Sequence, residues 1–170
     1  SSDLAELAQR WLTQFGSLDA AAGVAEHANA RPPLIFRVNR LKTDLPAATA
    51  ALAEDGVTAR PHANGLSLVV EGYAHVQGLR AFREGLIQPQ DPMAAAVVAA
   101  AGPAPDADVL DLCAAPGTKT TQLAEAMDNR GQITALDVSE DKLARIDDNC
   151  RRMGATVVRT VLAPQIGSIE

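Results

Sequence analysis

The stretch from Asp108 to Asp137 constrains this chain more than any other. It opens on the apolar run Val109-Leu110-Asp111-Leu112, which predicts a buried parallel strand. The turn Cys113-Ala114-Ala115-Pro116-Gly117 follows, built of small residues that let a ligand approach the backbone, and Gly117 permits angles that other residues avoid. Thr118 to Met127 then predicts a helix. Its first-turn amides carry a partial positive charge and point back into the turn, where a carboxylate or phosphate would be held. The next strand, Gln132 to Leu136, ends on Asp137. An acidic residue leaving the second strand of such a unit accepts hydrogen bonds from both hydroxyls of a ribose. The pattern points to a nucleoside-bearing ligand across the carboxyl ends of the strands. The alternative is a generic strand–helix unit with no ligand.

Two common nucleotide signatures are missing. Gly117 stands alone in its turn, so Gly-x-Gly-x-x-Gly is absent. The phosphate-loop pattern fails because Thr118 separates Gly117 from Lys119 and Ala114 occupies the position of the earlier glycine. A helix N-terminus for an amino-acid carboxylate, with an aspartate for a ribose, suits S-adenosylmethionine. The segment Asp111-Leu-Cys-Ala-Ala-Pro-Gly-Thr-Lys-Thr120 closely resembles the cofactor motif of the Sun family of RNA cytosine-5 methyltransferases, usually Asp-x-Cys-Ala-Ala-Pro-Gly-Gly-Lys-Thr. Thr118 replaces the second glycine and narrows the space beside the ligand. The resemblance implies a cofactor site at Cys113, Ala114, Ala115, Pro116, Gly117, Thr118, Lys119 and Asp137.

Arg31-Pro-Pro-Leu-Ile-Phe-Arg-Val-Asn-Arg-Leu-Lys42 resembles the same family, where it opens a small RNA-contacting subdomain. The resemblance makes Arg37, Asn39, Arg40 and Lys42 the candidate RNA contacts. The other reading pairs Arg37 with a carboxylate and uses Asn39 to cap a turn. The local pattern there is strand (Leu34 to Asn39), helix (capped by Asp44, with Pro46 in its first turn), strand (Val57 to His62), Asn64-Gly65 turn, strand (Leu66 to Val70). The family also has a Gln-Asp-Pro segment near its cofactor. Gln90 and Asp91 match it, although Asp91 also suits a plain N-cap for the helix Ala94 to Ala101.

Ahead of this module, Leu4, Leu7, Ala8, Trp11, Leu12 and Phe15 recur at helical spacing, with Trp11 read as core. A second helix runs from Ser17 or Asp19 toward Ala28, and His27 near its end reads as a surface residue. After Asp137, a helix from Ser139 to Met153 carries Leu143, Ile146 and Cys150 on one face, so Cys150 reads as a buried hydrophobe. Gly154 ends that helix, and Ala155 to Leu162 predicts a third parallel strand. The expected fold is α/β: a Rossmann-like methyltransferase half-sheet over 91–170, a small α+β subdomain over 31–90 and a helical segment over 1–30.

The formal net charge is −6, which by itself argues against a nucleic-acid partner. The charge is uneven, however: Arg31, Arg37, Arg40, Lys42, Arg60, Arg80 and Arg83 make residues 31–90 a modestly basic centre. A mixed solvated surface is the plainer reading of that charge. No apolar run approaches the roughly 20 residues that cross a bilayer, and Asp3 and Glu6 stand where a secretory signal needs bases and apolar residues. Cys113 and Cys150 give neither a disulfide framework nor a metal cluster, so a reduced, cytoplasmic protein is expected.

The family's chemistry adds a cysteine thiolate to cytosine carbon 6, with the cysteine in a Thr-Cys-Ser segment and a second one in Asp-Ala-Pro-Cys. Neither segment occurs in these 170 residues, nor does the acidic residue the family carries after its third strand. Ser1-Ser2 reads as a cut end or a tag remnant. The expectation is a piece of an rRNA or tRNA cytosine-5 methyltransferase that is inactive alone. A non-catalytic module binding RNA and cofactor is the alternative.

Overall fold

The computed structural model describes residues 2–163. They fall into two compact units that divide between Pro32 and Pro33. The first is a helical hairpin of α1 (Ser2–Phe15) and α2 (Leu18–Asn29), with the Ser17 side chain accepting from the amide of Ala20 as the N-cap. Among the described residues its only buried one is Ala21. Trp11 is half-buried and lines an apolar groove between the two helices with Leu7, Leu18 and Ala25, rather than lying in a closed core. Two amphipathic helices alone are too small to enclose an indole. His27 is exposed, as its position suggested.

The second unit holds two sheets. β1 (Ile35–Val38), α3 (Leu45–Glu54), β2 (Ala59–Pro61), β3 (Ser67–Val70), α4 (Arg80–Arg83) and β4 (Ile87–Pro89) form an antiparallel sheet in the order β2-β3-β1-β4. This βαββαβ arrangement closes over Phe36, Val38, Leu52, Leu68 and Ile87, all buried. Asp44 caps α3 by accepting from the amide of Ala47. The Asn64-Gly65 turn joins β2 to β3, with the Asn64 side-chain oxygen accepting from the amide of Leu66. Sequence reasoning missed β4, which is three residues long, ends on Pro89 and shows no alternation to separate it from a loop.

α5 (Pro92–Ala101) leads into the second sheet, with Asp91 Oδ1 accepting from the amides of Met93 and Ala94. β5 (Asp108–Asp111), α6 (Thr118–Ala126), β6 (Gln132–Asp137), α7 (Glu140–Met153) and β7 (Val158–Leu162) then give a parallel sheet in the order β5-β6-β7. This is the expected α/β half-sheet. Leu123 and Ala124 of α6, Met127 just after it, and Ile146 and Cys150 of α7 pack in one cluster with Ile133 and Ala135 of β6. Both helices therefore cover the same face. Leu110 and Leu112, pointing the other way, are 59% and 65% exposed, which corrects the expectation of a strand buried on both faces. No helix of the described residues is long and apolar enough to cross a membrane.

One glycine fixes how the two sheets meet. Gly85 has φ +72°, and a Cβ there would lie 2.0 Å from the carbonyl oxygen of Arg152 at the end of α7. Gly85→Ala therefore forces apart two backbones in an unfavourable conformation, and a loss of about 2–4 kcal/mol is expected in urea unfolding.

Candidate cofactor site

The turn between β5 and α6 lies against the end of β6. Ala114 N–H donates to Leu136 O at 3.0 Å, and Ala115 N–H donates to Asp137 Oδ2 at 3.1 Å. Gly117 N–H donates to Ala114 O at 2.6 Å, closing the turn on itself. From α7, Asn149 Nδ2 donates to Pro116 O at 2.6 Å. Thr120 Oγ1 donates to Asp111 Oδ2 at 2.8 Å, which ties the first turn of α6 to the strand before it. The Ala115–Pro116 peptide is cis.

This geometry refines what the sequence suggested. The amides of Ala114, Ala115 and Gly117 are already engaged within the protein, and the first turn of α6 offers further amides to a ligand. No side chain caps that turn. Gly117 has φ +95°, and a Cβ there would sit 3.2 Å from the Cα of Ile146. Its lack of a side chain thus allows the close approach of α7. Cys113, Pro116 and Lys119 are exposed, Ala115 and Thr118 half-buried, and Ala114 and Gly117 buried.

Asp137 is brought to the same place. It is buried, and besides Ala115 it accepts from Val138 N–H at 2.8 Å and pairs with Lys142 Nζ at 3.1 Å. The Val138 amide holds its carboxyl below the ordinary aspartate range against the opposing effect of burial, helped by Lys142 and Ala115. It therefore stays ionised, with Oδ1 taken up by Val138 N–H and Lys142 Nζ and an acceptor site left on Oδ2, which holds Ala115 N–H. An anionic acceptor facing an uncapped helix start is the pairing that an adenosyl amino acid needs.

The residues assigned to RNA are placed differently. Arg37 is 1% exposed, and its guanidinium donates to Thr118 O at 2.8 Å, Thr121 Oγ1 at 3.0 Å, Glu125 Oε1 at 2.6 Å and Gln90 Oε1. Asn39 is fully buried, with Nδ2 donating to Gly85 O and Met153 O, both at 2.7 Å. Neither presents a donor to solvent in this structure. The carboxylate-pairing reading of Arg37 is the one realised. Both side chains tie β1 and the loop after it to the parallel-sheet module. Lys42 is exposed, but its Nζ donates to the carbonyls of Glu84 at 2.9 Å and Arg152 at 2.6 Å. Arg40 is exposed and keeps one long contact, 3.5 Å, to Glu125 O. Arg152, which sequence reasoning passed over, joins this seam by donating to Phe82 O and Ile87 O at 2.9 and 3.2 Å and stacking over the Phe82 ring at 4.0 Å. Burial pushes its pKa down to about 10. Gln90 is likewise buried in the seam, donating to Gln122 Oε1 at 2.7 Å.

The two thiols differ sharply. Cys113 is exposed in the turn, whereas Cys150 is buried under α7, where desolvation and Asp147 push its pKa up to about 11. A thiol reagent at pH 8 is expected to label Cys113 quickly and Cys150 only on unfolding, read as one fast equivalent in the native protein.

Comparison with known proteins agrees with both modules. The family model for the ferredoxin-like domain of RsmF/B-type methyltransferases matches residues 6–77, and the model for the 16S rRNA methyltransferase RsmB/F matches residues 98–165. Ribosomal RNA small subunit methyltransferase B of Escherichia coli O17:K52:H18 is 36% identical over 158 residues, covering 91% of this chain and 37% of that protein. The same protein of Citrobacter koseri is 39% identical over 132 residues, covering 77% and 31%. The chain thus spans about a third of the length of these curated relatives. The crystal structure of PH0851 superposes with a TM-score of 0.82 at 34% identity, covering 90% of this chain and 36% of that one. NSun6 from Pyrococcus horikoshii, solved with SFG, gives the same TM-score at 17% identity over 94% of this chain and 65% of that one, and so shows a shared fold. With similarity running through the antiparallel module and the parallel half-sheet alike, the chain belongs to the RsmB/F, or Sun, family of rRNA methyltransferases.

Proposed function

We propose that this chain is the cofactor-binding part of an S-adenosylmethionine-dependent rRNA cytosine-5 methyltransferase. Residues 1–30 would be a helical segment, 31–90 the module that faces RNA, and 91–170 the start of the cofactor domain. The observation that carries the reading is the Asp137 carboxylate bound to the amide of Ala115, an ionised acceptor held at the turn that leads into the uncapped start of α6. Cys113 to Lys119 would line the methionine end of the ligand, with the α6 amides on its carboxylate and Asp137 on the ribose hydroxyls. Bound there, S-adenosylmethionine supplies the electrophilic methyl group. The chain's own part is to orient the ligand. Thr118, where the family motif has glycine, crowds the ligand and makes the binding weak. The RNA reading rests on the names of the relatives, which are rRNA methyltransferases. Of the four residues first assigned to it, Arg40 alone leaves its guanidinium exposed without a short partner.

Within residues 1–170 neither Thr-Cys-Ser nor Asp-Ala-Pro-Cys occurs, and Cys113 and Cys150 are in the cofactor turn and under α7. The 170-residue chain is therefore expected to bind cofactor yet transfer no methyl group to rRNA. The assay is tritium transfer from labelled S-adenosylmethionine to unmodified small-subunit RNA, beside binding of the same ligand. Turnover above background would contradict the assignment of chemistry to cysteines outside these residues. Absence of binding would contradict the site.

A further inference from the structure

Arg37 belongs to β1, in the antiparallel module, yet its guanidinium acts on α6. Nη1 donates to the main-chain carbonyl of Thr118, the first residue of that helix, while Nη2 reaches Thr121 and Glu125 further along. The arrangement is demanding. The side chain is buried, and its Nε has no hydrogen-bond partner among the described residues, so the fork is aimed by its two terminal nitrogens alone. No side chain caps the first turn of α6, which leaves the Thr118 carbonyl as a hold on that turn from outside the parallel-sheet module. The amides of the same turn are those that the proposed site would offer to the cofactor carboxylate.

We propose that Arg37 is a positioning residue for the cofactor site. By gripping the Thr118 carbonyl it fixes the first turn of α6, and it makes cofactor affinity depend on the antiparallel module. This inference rests on the cofactor reading above. Small displacements of an oriented donor weaken binding far more than they disturb the fold.

Two variants of the whole chain separate positioning from mere stability. Arg37→Lys keeps a cation for Glu125, but an ammonium lacks the planar fork and cannot hold Thr118 O and Glu125 together. Glu125→Gln removes the ion pair and leaves the Thr118 bond. Both are expected to melt at lower temperature. By calorimetry at a temperature where circular dichroism shows both fully folded, the Kd for S-adenosylmethionine is expected to rise about tenfold in Arg37→Lys and to stay within about twofold of wild type in Glu125→Gln. An unchanged Kd in Arg37→Lys would overturn the proposal. A second readout needs no ligand. Amide hydrogen exchange in the free protein is expected to quicken in Arg37→Lys at Thr121, whose N–H donates to Gly117 O, more than at Met127, whose N–H donates to Leu123 O. An equal rise at both ends of α6 would mean general destabilisation and would also overturn it. If the wild-type chain binds no S-adenosylmethionine, the cofactor reading fails, and the exchange result alone decides whether Arg37 positions the turn.

Discussion

Arg37→Met is expected to cost about 3–5 kcal/mol of unfolding free energy, the largest single loss in the molecule. The pair it breaks is fully enclosed: Arg37 and Glu125 side chains are 2% and 3% exposed, and their atoms are 2.6 Å apart. Methionine fills much of the volume but leaves the Glu125 carboxylate without its main partner. The loss should depend on pH in a defined direction. Burial already raises the Glu125 carboxyl above its ordinary range, with Arg37 opposing that rise. Without Arg37 the opposition weakens and the folded-state pKa climbs further. A carboxyl raised on folding contributes stability that is present below its unfolded pKa and lost as pH rises through its folded one. The deficit of Arg37→Met relative to wild type should therefore be larger at pH 8 than at pH 5. Urea unfolding at both pH values measures it. A deficit independent of pH would mean that Glu125 finds another partner.

Asp137→Ala is expected to weaken S-adenosylmethionine binding by about 30–150-fold, the loss of roughly 2–3 kcal/mol from charge-assisted hydrogen bonds to two ribose hydroxyls. Asp137→Asn, which keeps an acceptor but not the charge, should fall between. Because the Val138 amide holds the carboxyl below its ordinary range, the group's contribution is present at neutral pH and is lost only as pH falls through the depressed value. Binding should therefore be level from pH 8 to about pH 5 as far as this residue is concerned. An equal Kd in wild type and Asp137→Ala, by calorimetry, would remove the ribose role.

The sequence was most legible where one local pattern decides the structure. Asp44, Asp91 and Ser17 each announced a helix start that their side chains make, because a cap needs only an acceptor at the right spacing. The strand–turn–helix–strand unit ending on Asp137 was legible for the same reason. What the sequence hid was long-range. A carboxylate partner for Arg37 could be suspected but not named, because α6 and α7 must first fold against β1 and no spacing rule links residue 37 to residue 125. β5 reads as a strand buried on both faces because Val109, Leu110 and Leu112 are all apolar, but α6 and α7 cover only one face. A helix in the turn's crevice looks the same from sequence whether its glycine admits a ligand or a neighbouring helix. Here Ile146 occupies the space a Cβ at Gly117 would need.

The most direct measurement follows backbone amide resonances of the isotope-labelled chain during titration with S-adenosylmethionine. Saturable shifts concentrated at residues 113–121 and 137–138, absent in Asp137→Ala, are the predicted result. A titration to millimolar ligand that leaves those resonances in place, or moves resonances elsewhere instead, would contradict the account.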